Sequence, residues 1–180
     1  MPGLDVRRFE AFVRAHQDMV FAVSVRLLGD AAEAEDVSQS VFLKAWQRFA
    51  ALGTSEAAAG WLRTVARNEC LNHLTRHRQR YRLFSEMDSR GAGEPTFEAQ
   101  LPAVAPDAAD EARAEQAADL EQALRQLPAH QRVPLVLFHF EAQSYQDIAS
   151  ALGVSVGKIK TDIHRGRETL KRQLGAGRHA

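Results

Sequence analysis

Apolar residues recur along this chain at three- and four-residue spacings, the period of a helix face, and the runs they form divide it into helices. The first run, over residues 6–28, aligns Phe9, Phe12, Val13, His16, Val20, Val23 and Leu27, and Gly29 with Asp30 stops it. A second helix is predicted over 31–49, with Val37, Val41, Phe42, Ala45, Trp46 and Phe49 on one face. Glu33, Glu35 and Asp36 lie in its first turns, where the helix dipole favours anions. Residues 50–60, rich in Ala, Gly and Ser, read as an exposed loop that adds little to a core.

A third helix starts between Glu56 and Trp61 and changes character along its length. Trp61, Leu62, Val65, Ala66 and Leu74 are its packing residues, whereas Arg63, Arg67, Asn68, Asn72, Arg76, Arg78, Arg80 and Arg82 project elsewhere with only Glu69 opposing them. Periodicity then fails from 85 to 110, where Gly91, Gly93, Pro95, Pro102 and Pro106 interrupt any helix. The acids Glu86, Asp88, Glu94, Glu98, Asp107 and Asp110 face the lone base Arg90, so this stretch reads as an extended acidic linker.

Beyond the linker, 110–127 carries Leu120, Ala123, Leu124 and Leu127 on one face and ends at Pro128. Residues 129–140 carry Val133, Val136, Leu137 and Phe140, with Pro134 either in the first turn or at a kink. Between 144 and 170 two helices meet at a tight turn. Ser144 caps the first, whose stripe is Tyr145, Ile148, Ala149 and Leu152. Gly153 reverses the chain, and Ser155 caps the second. That second helix turns Val156, Ile159, Ile163 and Leu170 inward and leaves Lys158, Lys160, Thr161, His164, Arg165 and Arg167 outward.

The fold class is therefore all-α: a three- or four-helix N-terminal domain over 1–84, a linker over 85–110, and a four-helix C-terminal domain with a helix-turn-helix over 111–180.

Composition changes this picture little. The 180 residues carry 23 basic and 23 acidic side chains, a formal net charge of zero. Segregation matters more than the sum: the third helix and the last one are basic, the linker acidic. One cysteine, Cys70, excludes an internal disulfide, and no stretch reads as a signal peptide or a bilayer span. The expectation is a cytoplasmic protein without membrane insertion of its own.

Two faces then carry candidate chemistry. Long donors and cations on the last helix suit base edges in a major groove flanked by phosphates. Asparagines among arginines on the third helix suit base reading beside phosphate contacts, with Trp61 at the mouth of the preceding loop placed to line a site for an unstacked base. Cys70, His73 and His77 share a helix face, but three ligands on one rigid helix cannot converge on a small tetrahedral ion, so no metal is assigned. Glu33, Glu35 and Asp36 lack a convergent second cluster, which argues against a metal-dependent nuclease. Neither a catalytic residue nor a cofactor is expected. A stand-alone helix-turn-helix regulator is the alternative; it accounts for the C-terminal half but not for the third helix.

Three segments together resemble the extracytoplasmic-function (ECF) sigma factors of the bacterial sigma-70 class. They are AEDVSQSVFLKAW, WLRTVARNECLNHL and LPAHQRVPLVLFHFEAQSYQDIASALGVSVGKIKTDIHRGRETL, and they stand in the family's order. The resemblance implies a protein that is not an enzyme. It implies a subunit that binds core RNA polymerase at the largest-subunit clamp and the flap, reads the minus-thirty-five and minus-ten promoter elements and promotes DNA melting under an anti-sigma factor.

By the same resemblance Asp36, Gln39, Ser40, Leu43, Lys44 and Trp46 meet the clamp. Trp61, Arg63, Asn68, Asn72 and Arg76 meet the minus-ten element. Lys160, Thr161, His164 and Arg165 meet minus-thirty-five bases, while Ser155, at the helix start, and Lys158 and Arg167 meet the DNA around them. The linker is expected to thread toward the polymerase active cleft. Ser40 departs from the family, which usually has a carboxylate there, and Ser38 stands where a more apolar residue is usual. Phosphorylation of Ser40 would restore the negative charge.

Overall fold

A computed structural model describes residues 2–76 and 110–176, and every regular element among them is helical. They are α1 (Pro2–Leu28), α2 (Ala31–Gln47), α3 (Phe49–Leu52), α4 (Ala58–Arg76), α5 (Asp110–Gln126), α6 (Ala129–His139), α7 (Tyr145–Leu152) and α8 (Val156–Ala176). The chain divides into two compact units, Met1–Gln79 and Arg80–Ala180. The expected acidic linker and Arg78, Arg80 and Arg82 lie outside the described residues, apart from Asp110, which opens α5.

In the first unit α1, α2 and α4 pack on one another. Val20, Val23 and Leu27 of α1 meet Ala34, Val37, Val41 and Ala45 of α2 and Leu62, Ala66 and Cys70 of α4, all buried. Spacings of three and four residues put each set on one side of its helix, so burial of these stripes is what stabilises three helices that are marginal alone. Asp30 caps α2, accepting the Glu33 amide at 2.9 Å.

The second helix ends two residues earlier than its hydrophobic pattern predicts. Arg48 leaves helical geometry (φ −114°, ψ 11°), which turns Phe49 back into the core as the first residue of the one-turn α3. There Phe49 meets Phe9 and Phe12 edge-on at 5.1 and 5.5 Å between ring centroids, and Phe9 meets Trp46 at 4.8 Å. The expectation of a wholly exposed 50–60 loop is corrected by the same geometry, because Leu52 and Ala58 are buried and pin it at both ends.

In the second unit α6 is the central helix, buried from Arg132 through Leu137 and packed on both α7 and α8, while α5 packs on α8. A helix surrounded in this way is apolar on nearly all sides. Pro134 is its sixth residue and buried, beyond the first turn, so it removes one amide donor from within the helix. Arg132, also buried, directs Nη1 to the Leu127 carbonyl at 2.8 Å and so ties α6 to the end of α5.

Capping between 144 and 158 follows the sequence residue by residue. Ser144 Oγ accepts the Asp147 amide at 3.1 Å and donates to the Asp147 carboxylate at 2.6 Å. Gly153 takes the left-handed conformation (φ 67°, ψ 37°), which a side chain would strain, and Ser155 Oγ accepts the Lys158 amide at 3.2 Å. The resulting close pair α7–α8 is clamped on α6 through Ile148, Ile159, Ile163 and Leu170, each almost fully buried. At Gly166 the last helix lies so close to α6 that an added Cβ would stand 2.9 Å from Leu135 Cδ1 and 3.4 Å from the Gln131 carbonyl oxygen.

Candidate functional site

Burial of Leu62, Ala66 and Cys70 fixes which side of α4 looks outward, and Asn68, Asn72 and Arg76 are on it, all exposed. Arg63 and Arg67 are half-buried, which corrects the expectation that the whole arginine set stands clear of the core. Their long stems lie along the apolar surface beside the packing stripe. Trp61 is half-buried at the start of α4, with the Arg48 guanidinium 6.0 Å from its ring. Arg48, at the break between α2 and α3, was not singled out from sequence, because nothing in the apolar pattern marks where α2 stops.

On α2 the residues Asp36, Gln39, Leu43 and Trp46 fall three or four apart and share an exposed stripe. Leu43 is 66% exposed and Trp46 43%, in a unit whose other large apolar side chains are mostly covered. Beside Trp46 an open hollow is lined by Asp5, Val6, Arg8, Phe49 and Ala50. Ser40 is half-buried at the edge of the stripe, its hydroxyl donating to the Asp36 carbonyl at 3.1 Å, and Ser38 donates to the Ala34 carbonyl at 2.7 Å. Both serines therefore satisfy themselves within their own helix. Lys44 leaves the stripe to reach α4, where its Nζ meets Glu69 Oε1 at 2.5 Å.

On α8 the six side chains expected to face outward divide in two. Lys160 and His164 are exposed, whereas Lys158, Thr161, Arg165 and Arg167 are half-buried. The division has a cause that the apolar period does not reveal: Asp162 is buried, 1% exposed, on the inner face between Ile159 and Ile163. Burial pushes its carboxyl up from the ordinary 3.8, and Lys158, then His130 and Arg165, pull it back. Lys158 leans over it, with Nζ at 3.0 and 3.2 Å from its two oxygens. The Lys–Asp spacing of four was the available signal.

Thr161 returns its hydroxyl to the Gly157 carbonyl at 3.0 Å. Arg167 turns inward: its Nε donates to His139 Nε2 at 3.0 Å, and its guanidinium lies 5.8 Å from the Phe138 ring. Phe138 stacks parallel on Tyr145 at 4.5 Å, and Lys160 Nζ is 5.8 Å from the Tyr145 ring. The aromatic pair from α6 and α7 thus lies between two cations of α8. Ser155 stays exposed at the start of that helix, its hydroxyl engaged as the cap.

Among the described residues no group of three or more His, Cys, Asp or Glu side chains could hold a metal ion. Cys70 is fully buried, His73 Nε2 lies 3.4 Å from Glu33 Oε2, and His77 lies outside the described residues. Among the described residues no helix is long and apolar enough to cross a membrane.

Comparison with known proteins accounts for both units. Residues 12–80 match the family model described as sigma-70 region 2, and residues 117–170 match that of sigma-70, region 4. The RNA polymerase sigma-H factor of Pseudomonas aeruginosa is 32% identical over 172 residues, covering 94% of this chain and 88% of that protein. The ECF RNA polymerase sigma factor SigW of Bacillus subtilis is 30% identical over 172 residues, covering 94% and 90%. Among solved structures, the sigma factor RpoE in complex with the anti-sigma factor NepR from Bartonella quintana is 25% identical, with a TM-score of 0.47 over 93% of this chain and 96% of that one.

Proposed function

This chain belongs to the extracytoplasmic-function group of sigma-70 family RNA polymerase sigma factors, and from that premise we propose how its exposed faces divide the work. A sigma factor makes and breaks no covalent bond. It binds core polymerase, recognises the promoter and promotes melting, so its chemistry is differential binding of duplex and opened DNA.

The α2 stripe of Asp36, Gln39, Ser40, Leu43 and Trp46 docks on the polymerase clamp, and Lys44, turned toward Glu69 of α4, stands outside that contact. An exposed tryptophan beside an exposed leucine in a polar surround is the composition of an interface hot spot. The α4 face reads the minus-ten element, with Asn68 and Asn72 at base edges and Arg63 and Arg76 at phosphates. Trp61, held by Arg48, lines the site for an extruded base. Unstacking that base costs a few kcal/mol, roughly, and a pocket that holds it repays the cost.

The α7–α8 pair acts as a helix-turn-helix on the minus-thirty-five element. Lys160 and His164 are the readers because they are the exposed ones; Thr161 and Arg165 flank them, and Ser155, Lys158 and Arg167 complete the DNA-facing set. Two modest readers joined in one chain gain from effective concentration, so neither needs high affinity alone. An anti-sigma factor holds the protein inactive by covering the polymerase-facing surfaces, and the flap receives the second unit.

The single observation that carries this reading is the presence, in order in one chain, of region 2 and region 4, each folded as its own helical unit. The test is transcription by core polymerase on genomic promoter fragments with and without the purified protein. Protein-dependent run-off transcripts with permanganate-reactive thymines near minus ten are expected. Tight binding of intact duplex by the protein alone, with no co-migration with core polymerase, would overturn it.

A further inference from the structure

Glu69 is the one carboxylate of α4, and it stands among the residues that the proposed function places against DNA. Asn72 and Arg76 follow it by three and seven residues, the spacing that shares a helix face, and Asn68 precedes it directly. A negative charge at that position adjoins the surface that the neighbouring residues would present to DNA. Its partner comes from another helix. Lys44 of α2 meets it at 2.5 Å, with Glu69 20% exposed and Lys44 50% exposed.

Fold stability is a poor account of this pair, since half-exposed ion pairs contribute little. Resting on the functional reading above, we infer that Lys44 is a positioning residue for the DNA step. It neutralises Glu69 and holds its carboxylate toward α2, which makes the Asn68–Asn72–Arg76 surface compatible with the melted promoter strand. The helix that docks on polymerase thereby sets the charge of the helix that opens DNA.

The inference concerns where Lys44 acts, so the experiment removes polymerase affinity from the comparison. Wild type, K44A, K44R, E69Q and K44A/E69Q are each assembled with core polymerase at concentrations that saturate the weakest binder. Open-complex formation on one promoter is then followed by permanganate reactivity across a salt series. An uncompensated negative charge beside the DNA-facing residues is expected to reduce opening by about fivefold to tenfold in K44A. K44R retains wild-type opening, because it keeps the cation.

The deciding variant is the double one. K44A/E69Q regains wild-type opening and the wild-type salt slope, although it lacks the lysine altogether. A double variant as impaired as K44A would overturn the inference and leave Lys44 as a polymerase contact or a structural residue; K44A indistinguishable from wild type would overturn it equally. If the wild type itself opens no promoter with core polymerase, the functional reading fails, and the inference falls with it.

Discussion

Arg167 donates its Nε proton to Nε2 of His139 at 3.0 Å, which requires that imidazole nitrogen to be unprotonated. Burial, and after it the Arg167 charge, hold the His139 ring down at about 4 from the ordinary 6.5. An arginine that the helical period places on a DNA-facing surface is therefore also a bracket between α8 and the end of α6.

That bracket gives stability a pH dependence. The folded imidazole binds its proton at about 4 and the unfolded one near 6.5, so between those values the unfolded chain holds more protons. The contribution is complete above about 6.5 and is lost as pH falls toward 4, roughly 1–2 kcal/mol once solvent screening of a half-buried group is allowed for. Asp162 has the opposite sign: with its carboxyl raised, the folded state takes that proton first, and its term declines as pH rises above the unfolded value. Comparison of the wild type with His139→Gln isolates the histidine. Glutamine still accepts from Arg167, so urea midpoints of the two proteins should diverge as pH drops from 7 to 4.5, the variant losing less.

Two glycines of α8 should respond oppositely to alanine. At Gly157 a Cβ meets nothing within 4 Å, so Gly157→Ala should stabilise by about 0.5–1 kcal/mol. At Gly166 the Cβ would stand 2.9 Å from Leu135 Cδ1 and 3.4 Å from the Gln131 carbonyl oxygen, and Leu135 is fully buried. Overpacking of that kind costs about 1–3 kcal/mol and outweighs the helix-propensity gain. Thermal melts of the two single variants check the signs.

Leu43→Glu should leave the fold alone and weaken partnership. The side chain is 66% exposed, so its loss removes no core. A charge beside Trp46 in the proposed docking stripe should weaken the complex with core polymerase by about tenfold or more, since hot-spot residues each carry on the order of 2 kcal/mol. Fluorescence titration of labelled protein with core polymerase measures it; an unchanged affinity would move the docking face elsewhere.

Asn68→Ala should separate melting from duplex reading. Asn68 is exposed, so stability should hold, while affinity of the holoenzyme for a single-stranded minus-ten oligonucleotide should fall by about tenfold, the usual worth of a good base-edge contact. Affinity for a duplex carrying only the minus-thirty-five element should not change.

Much of this molecule was legible from spacing alone. The stripes Val37–Val41–Ala45 and Ile159–Ile163–Leu170 are the buried ones, and the three capping residues Ser144, Gly153 and Ser155 do what their chemistry dictates. What escaped were interactions between elements. The break at Arg48 depends on Phe49 finding Phe9 and Phe12 on another helix. Asp162 is polar yet inside, because Lys158 and the surroundings of α6 offset its burial. A helical period assigns a polar residue to the outside and has no term for a partner four residues away or on a neighbouring helix. For the site, the period gave the exposed members Asn68, Asn72, Lys160 and His164; it misjudged how far Arg63 and Arg167 sink.

The close approach at Gly166 sets the last helix directly against Leu135 and Gln131 of α6. A side chain at that position would have to displace the Leu135 methyl of α6. On the proposed assignment of Lys160 and His164 as readers, promoter preference would change by exchange of those exposed side chains. The helix pair then serves as a type block, in which the letters are replaceable while Ser144, Gly153 and Ser155 keep the frame that spaces them.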